Sequence, residues 1–346
     1  MTVSDFRSRL RDELDARGLL GTRESREACA ARAVELGATA LAEVEALVGA
    51  ATARRALSTR RGEGFAASYR YVMGYGALMT EFLVAPARPE PSDRQRIAAL
   101  GAVANLIVSH FDELVDGGWP RSLLLPSWAL AAAPTYVGRT VLRAAARAGP
   151  APTRLIVTLV ANYFERVRAL ERTVARPRVR RRLSRTIMTM YSEEGRTPRE
   201  WRRLRGDAAL QKKTALPLVV LGLPVWLVSA DFDSARFEAH YRWLVHVGKF
   251  VRWVDDAADA EADGAAGASN LVRHALDGRT AGAAEQAALA AAIARRGRRL
   301  VDQWHGFAAA TADDDGRLAI SNDQVPAVLS NVLAAWVGEP EYASLT

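Results

Sequence analysis

Three observations predict an all-α fold for this chain of 346 residues. Apolar residues recur mainly at three- and four-residue spacing, Ala, Leu and Arg dominate, and period-two runs of Val, Ile and Thr are scarce. The spacing places helices over about 24–49, 65–84, 93–116, 151–176, 178–195, 199–228, 234–262 and 282–312. Turn chemistry supplies the breaks between them: Pro86, Pro89 and Pro91, then Gly117-Gly118-Trp119-Pro120, then Gly149-Pro150 with Pro152, and last Asp263-Gly264 with Gly267. Pro217 and Pro224 fall inside the 199–228 segment, and each costs about 3 kcal/mol in a straight helix, so a kink is expected directly after Lys213-Thr214. No internal repeat and no shift in composition marks a linker, which favours one domain over residues 1–346.

Apolar residues make up 49% of the chain, enough to fill a substantial core, so disorder is not the default reading. The formal net charge of +8 and a pI near 10.0 favour an anionic partner: a diphosphate, a nucleic acid or an acidic membrane surface. Nucleic acid is the weakest of these. The basic run from Arg176 to Arg185 has neither interleaved aromatic residues nor a recognisable binding module around it, and it reads as a solvated face or a rim that gathers diphosphate. The cations are almost all arginine, and the three lysines, Lys212, Lys213 and Lys249, all fall in the motifs described below. The single cysteine, Cys29, excludes an intramolecular disulfide framework and a Cys-based zinc site. The amino-terminal residues lack an apolar signal region, and no run approaches about 18 uninterrupted apolar residues. A cytoplasmic protein without a transmembrane segment is therefore expected.

Two acidic segments carry the chemistry. In Ser109-His-Phe-Asp-Glu-Leu-Val-Asp116, Asp112 and Asp116 stand at i and i+4, on one helix face one turn apart, with Glu113 beside them. Carboxylates clustered at a helix carboxyl end oppose the macrodipole, a cost that a bound divalent cation removes. Val254-Asp255-Asp256-Ala-Ala-Asp259 repeats the i and i+4 spacing at the end of an apolar and aromatic stretch. Hard oxygen ligands without neighbouring His or Cys favour Mg²⁺, completed by water and substrate phosphates. Taken singly, either run reads as a solvated face; the pair suggests a diphosphate held between them.

At these residues the chain resembles the all-trans polyprenyl diphosphate synthases and their relatives in the isoprenoid synthase superfamily. Asp112-Glu113-Leu-Val-Asp116 is similar to their first aspartate-rich motif, DDxxD, with Glu113 in place of one Asp and His110 just upstream. Lys213-Thr214-Ala215-Leu216 resembles their KTAxL segment. The stretch from Gly248 through Asp255-Asp256-Ala-Ala-Asp259 resembles their second motif, with Arg252 at the usual glutamine. The resemblance covers about residues 95–275. It implies an isoprenoid-synthase type helical bundle and a cluster of three Mg²⁺ ions on Asp112, Glu113, Asp116, Asp255, Asp256 and Asp259. It also implies diphosphate contacts from Lys213, Thr214, Lys249 and Arg252. Asp112, Asp116, Asp255 and Lys213 are the residues on which it makes turnover depend.

The departures from the family select among its activities. The segments that bind a homoallylic diphosphate in chain-elongating members have no counterpart around Arg60-Arg61 or in Gly117 to Ser122, and Asp263 to Asn270 replaces a further family segment. The ionising site is thus kept while the second-substrate site is lost, which implies a class I terpene synthase acting on an allylic prenyl diphosphate, with C20 as the guessed length. A divergent chain-elongating synthase and a non-catalytic regulatory subunit are the alternatives, and a homodimer is an allowed assembly. Phe111, Trp119, Trp128, Trp226, Trp243 and Trp253 could offer aromatic faces to a carbocation, although core packing explains any one of them better.

Overall fold

The computed structural model describes residues 3–57, 64–116, 119, 125, 127–171, 176–194, 212–229, 232–266, 270–276, 282–309 and 325–338. The described chain is all-α, with no strand among these residues. In chain order the helices are α1 (Val3–Asp15), α2 (Arg23–Val48), α3 (Ala50–Leu57), α4 (Gly64–Val84), α5 (Pro91–Asp116), α6 (Ser127–Ala132), α7 (Tyr136–Ala148) and α8 (Ala151–Leu170). There follow α9 (Pro177–Glu194), α10 (Lys212–Gly222), α11 (Val225–Val228), α12 (Ser234–Ala258), α13 (Ala260–Ala266), α14 (Leu271–Leu276), α15 (Ala283–Ala309) and α16 (Ala327–Val337). Side-chain caps set several starts: Thr22 Oγ1 accepts from the Ser25 N–H, Thr135 Oγ1 from Gly138, Asp233 Oδ1 from Ala235 and Asn270 Oδ1 from Arg273.

Contacts group the chain into two compact units, each built from separated stretches of sequence. One comprises Met1–Cys29, Arg196–Leu218 and Arg242–Thr346. In it, Phe6, Leu10 and Leu14 on α1 recur every four residues and are fully buried against α15 and α16, where Val301, Trp304 and Leu333 also lie in the core. Asn331 of α16 donates from Nδ2 to the Arg26 carbonyl at 2.7 Å, and the Ser330 hydroxyl donates to that of Leu20.

The other unit comprises Ala30–Gly195 and Val219–Tyr241. Its centre is α5 with α4 and α8 packed on it. By length and apolar composition α5 could cross a membrane, but Ile97, Leu100, Val103, Leu106, Phe111 and Leu114 are buried in this unit, as befits a core helix. Further along, Trp226 and His240 are buried together: the indole Nε1–H donates to His240 Nδ1 at 2.8 Å, and His240 Nε2 lies 2.8 Å from the Leu83 carbonyl. Arg178 and Arg182 of the basic run both reach Glu238, and the Arg182 guanidinium stacks 4.5 Å from the centre of the Tyr241 ring.

The long helices follow the apolar spacing closely, with three departures. The expected 151–176 helix ends at Leu170, because Glu171 leaves helical geometry and turns its carboxylate to the Arg176 N–H at 2.9 Å and to Arg180 at 3.2 Å. In the 199–228 segment, residues 199–211 lie outside the described residues, Pro217 sits inside α10, and the interruption falls at Leu223-Pro224. Of the break expected at Asp263-Gly264 with Gly267, the first two residues lie inside α13, which ends at Ala266, while Gly267 lies outside the described residues; the chain bends earlier, at Asp259. Gly264 serves packing there: a Cβ on it would fall 1.4 Å from Arg273 Nη1, so the glycine admits the arginine and does not stop the helix.

Candidate metal and diphosphate site

The carboxyl end of α5 is placed by a ladder of contacts with α4. Gly76 and Gly101 let the two helices touch: a Cβ on Gly101 would lie 1.9 Å from Thr80 Oγ1, and one on Gly76 would lie 2.7 Å from the Gly101 carbonyl oxygen. Further along, Asn105 Nδ2 donates to the Val72 carbonyl at 2.7 Å. Last comes Tyr69, buried on α4, whose hydroxyl lies 2.9 Å from His110 Nδ1 and donates to Glu113 Oε2 at 2.8 Å. A hydroxyl has one proton, so with that proton on the Glu113 side His110 donates from Nδ1. Burial pushes the His110 imidazole down to about 4, which keeps it neutral at physiological pH.

Asp112 is half-buried next to this ladder, and Phe111 packs 5.4 Å from the Tyr191 ring. Helix α5 runs to Asp116, followed by a Trp119 N–H that donates to the Leu114 carbonyl at 3.0 Å, so the expected stop at Gly117 to Pro120 coincides with the helix end. The helix places Asp116 one turn beyond Asp112, while the Asp116 side chain lies outside the described residues. Arg60, Arg61, Gly117, Gly118 and residues 120–122 lie outside them as well.

The second acidic segment closes α12 in the other unit. Here the structure brings two of the sequence motifs together. Ala215 of the Lys213-Thr214-Ala215-Leu216 segment packs directly on the backbone of Gly248, where a Cβ would stand 2.3 Å from the Ala215 Cα. Only a glycine on α12 allows that approach, and seven residues later α12 delivers Asp255. Lys213 and Thr214 belong to α10 by backbone, and their side chains lie outside the described residues. Lys249, next to Gly248, is half-buried.

Arg252 bridges the first two aspartates of the segment. Its Nη1 lies 3.1 Å from Asp255 Oδ2 and its Nη2 lies 2.5 Å from Asp256 Oδ1. Asp256 is buried, and its second oxygen accepts the Leu271 N–H at 2.7 Å. Its carbonyl accepts from Asn270 Nδ2 at 2.6 Å, a group that also lies 2.8 Å from Asp263 Oδ2. These bonds strap the end of α12 and α13 to the start of α14. Burial pushes the Asp256 carboxyl up to about 7 against the pull of Arg252 and the Leu271 N–H, with Asp255 and Asp263 adding to the rise. Asp259 is displaced upward too, chiefly by partial desolvation and next by Asp263.

The six carboxylates proposed from sequence thus differ in setting. Asp256 has both oxygens engaged in holding helices together, and Glu113 has one oxygen fixed by Tyr69. Asp255 pairs with Arg252, Asp112 is half-buried and Asp259 is exposed; their carboxylates are hard oxygen, the chemistry that fits Mg²⁺, while the Asp116 side chain lies outside the described residues. Among the described residues no three His, Cys, Asp or Glu side chains converge into a metal-ready group. Mg²⁺ does not require one, since it is commonly held by one or two carboxylates with water and substrate phosphates. Sequence reading missed Tyr69, for which nothing local gives a signal, and Asn270, which the helix-capping preference for asparagine ahead of Leu271 could have flagged. Compared with models of known protein families, with curated proteins and with solved structures, the chain matches none.

Proposed function

We propose that this chain is a magnesium-dependent enzyme of the isoprenoid synthase type that ionises an allylic prenyl diphosphate, in the manner of a class I terpene synthase. The observation that carries the reading is the end of α5. There Asp112 and Asp116 are spaced one turn apart, and a tyrosine from α4 holds Glu113 beside them. A solvated acidic face has no physical need of a buried Tyr–His pair to fix one of its carboxylates.

Magnesium, when bound, would supply positive charge against the diphosphate as its bond to the allylic carbon breaks. Asp112 and Asp116 would hold such ions from α5, and Asp255 and Asp259 from the end of α12. Lys213 would neutralise diphosphate oxygens as a compact point charge. Arg252 would act through the aspartates it bridges, keeping Asp255 oriented while Asp256 anchors α14. Phe111 and Tyr191 offer aromatic surface beside Asp112 for the allylic cation.

Turnover of Asp112→Asn and Asp255→Asn tests the reading. Each exchange keeps the side-chain shape and removes an anionic oxygen, so pyrophosphate release should fall at least about a hundredfold and the magnesium optimum should rise. Wild-type turnover in both variants would overturn it.

A further inference from the structure

We infer that Tyr69 and His110 are positioning residues that hold the Glu113 carboxylate in a fixed orientation beside Asp112, an inference that rests on the diphosphate reading above. The relay runs in one direction. His110 donates from Nδ1 to the Tyr69 hydroxyl across 2.9 Å, and that hydroxyl donates its only proton to Glu113 Oε2 across 2.8 Å. His110 and Glu113 are three residues apart on α5, so they present adjacent groups to a single residue of the facing helix. Tyr69 and His110 are both buried, and their rings meet edge to face at 5.8 Å, which leaves little rotational freedom to either.

The relay also explains why glutamate serves where the resembled motif has aspartate. Glu113 is one methylene longer, and that length lets its carboxylate meet the Tyr69 hydroxyl. A long side chain left to itself would sample several rotamers and hold a cation loosely. Fixed through Oε2, it presents its other oxygen in one orientation, as an outer hydrogen-bond partner commonly does for a metal-ligating group. The contacts that place Tyr69 are those of the α4–α5 ladder, from Thr80 and Gly101 through Asn105 and Val72, so the orientation is built into the helix packing.

The test uses Mn²⁺ as a paramagnetic stand-in for Mg²⁺, with inorganic pyrophosphate present, and follows binding by the loss of the free-ion resonance signal. In the full chain, Tyr69→Phe should weaken Mn²⁺ binding by about tenfold, the lower end of what loss of an outer hydrogen-bond partner costs. In a Glu113→Asp background, where the carboxylate no longer reaches the hydroxyl, the same exchange should change binding by less than about twofold. A purely structural role for Tyr69 would weaken both backgrounds equally. Wild-type binding that Tyr69→Phe leaves unaltered would overturn the positioning role while sparing the functional reading. A wild-type chain that binds no Mn²⁺ with pyrophosphate would overturn the functional reading and the positioning role with it. Nitrogen-15 resonances of His110 in the unaltered chain give a check independent of any variant: the Nδ1–H tautomer is expected, and the Nε2–H tautomer would overturn the relay.

Discussion

Acidification should destabilise the chain through His240, and a single substitution should remove that sensitivity. The Trp226 indole N–H points at Nδ1 and the Leu83 carbonyl accepts from Nε2, each at 2.8 Å, so the native site accommodates only the neutral ring with its proton on Nε2. A second proton would sit on Nδ1 and face the indole N–H, donor against donor, in a fully buried pocket. Burial accordingly pushes His240 from 6.5 down to about 4, although the Leu83 carbonyl pulls the other way. The native pKa lies below the unfolded one. The contribution is therefore complete above about pH 6.5 and is lost as pH falls, because the unfolded chain takes up a proton that the folded chain refuses. At 1.36 kcal/mol per pH unit, the loss reaches about 3 kcal/mol by pH 4. The net curve mixes this with other groups: His110 shifts in the same direction, while Glu81, Asp256 and Asp259 shift upward and act oppositely. The assay is therefore a difference measurement, urea unfolding of the wild type and of His240→Gln between pH 7.5 and 4. The variant should be less stable by about 1–3 kcal/mol at pH 7.5, with the gap closing as pH falls. Parallel curves would refute the buried neutral imidazole.

Three further outcomes follow from the site. Asp256→Asn breaks the pairing with Arg252 in a buried strap and should cost about 1–3 kcal/mol in chemical denaturation, whereas Asp255→Asn should stay within about 1 kcal/mol while abolishing turnover. Gly248→Val drives a side chain into the Ala215 backbone and should lower stability by about 1–3 kcal/mol in the same assay, with activity falling because the Lys213 segment is displaced from α12. Lys213→Ala should reduce the rate of pyrophosphate release by at least about tenfold with an unchanged melting temperature, and normal kinetics would mean that the likeness to the KTAxL segment is accidental.

Periodicity made the long helices legible because each buries one apolar stripe, as α5 does with Ile97, Leu100, Val103 and Leu106. Helix α1 escaped notice although Phe6, Leu10 and Leu14 repeat every four residues, since the charged residues between them dominate its composition. The short helices α3, α6 and α14 fell below the length at which a repeat can be recognised, and their positions depend on caps and tertiary packing, whereas α7, with 13 residues, was long enough to carry a repeat and was not predicted. At the site, the i and i+4 aspartates were readable because helical geometry is local. What each carboxylate does was not, because Asp256 meets Leu271 and Glu113 meets Tyr69 across 15 and 44 residues of sequence. Arg252, read from sequence as a diphosphate contact, bridges Asp255 and Asp256 three and four residues further along α12, a pairing that local helix spacing allows.

Pyrophosphate release from C10, C15 and C20 allylic diphosphates, followed with Mg²⁺ and with the metal chelated, tests the proposed chemistry most directly. Magnesium-dependent release without isopentenyl diphosphate is expected, accompanied by a hydrocarbon or alcohol of the same carbon number as the substrate. Release that requires isopentenyl diphosphate and yields longer diphosphates would replace ionisation alone with chain elongation, and no release from any of the three would contradict the enzymatic reading.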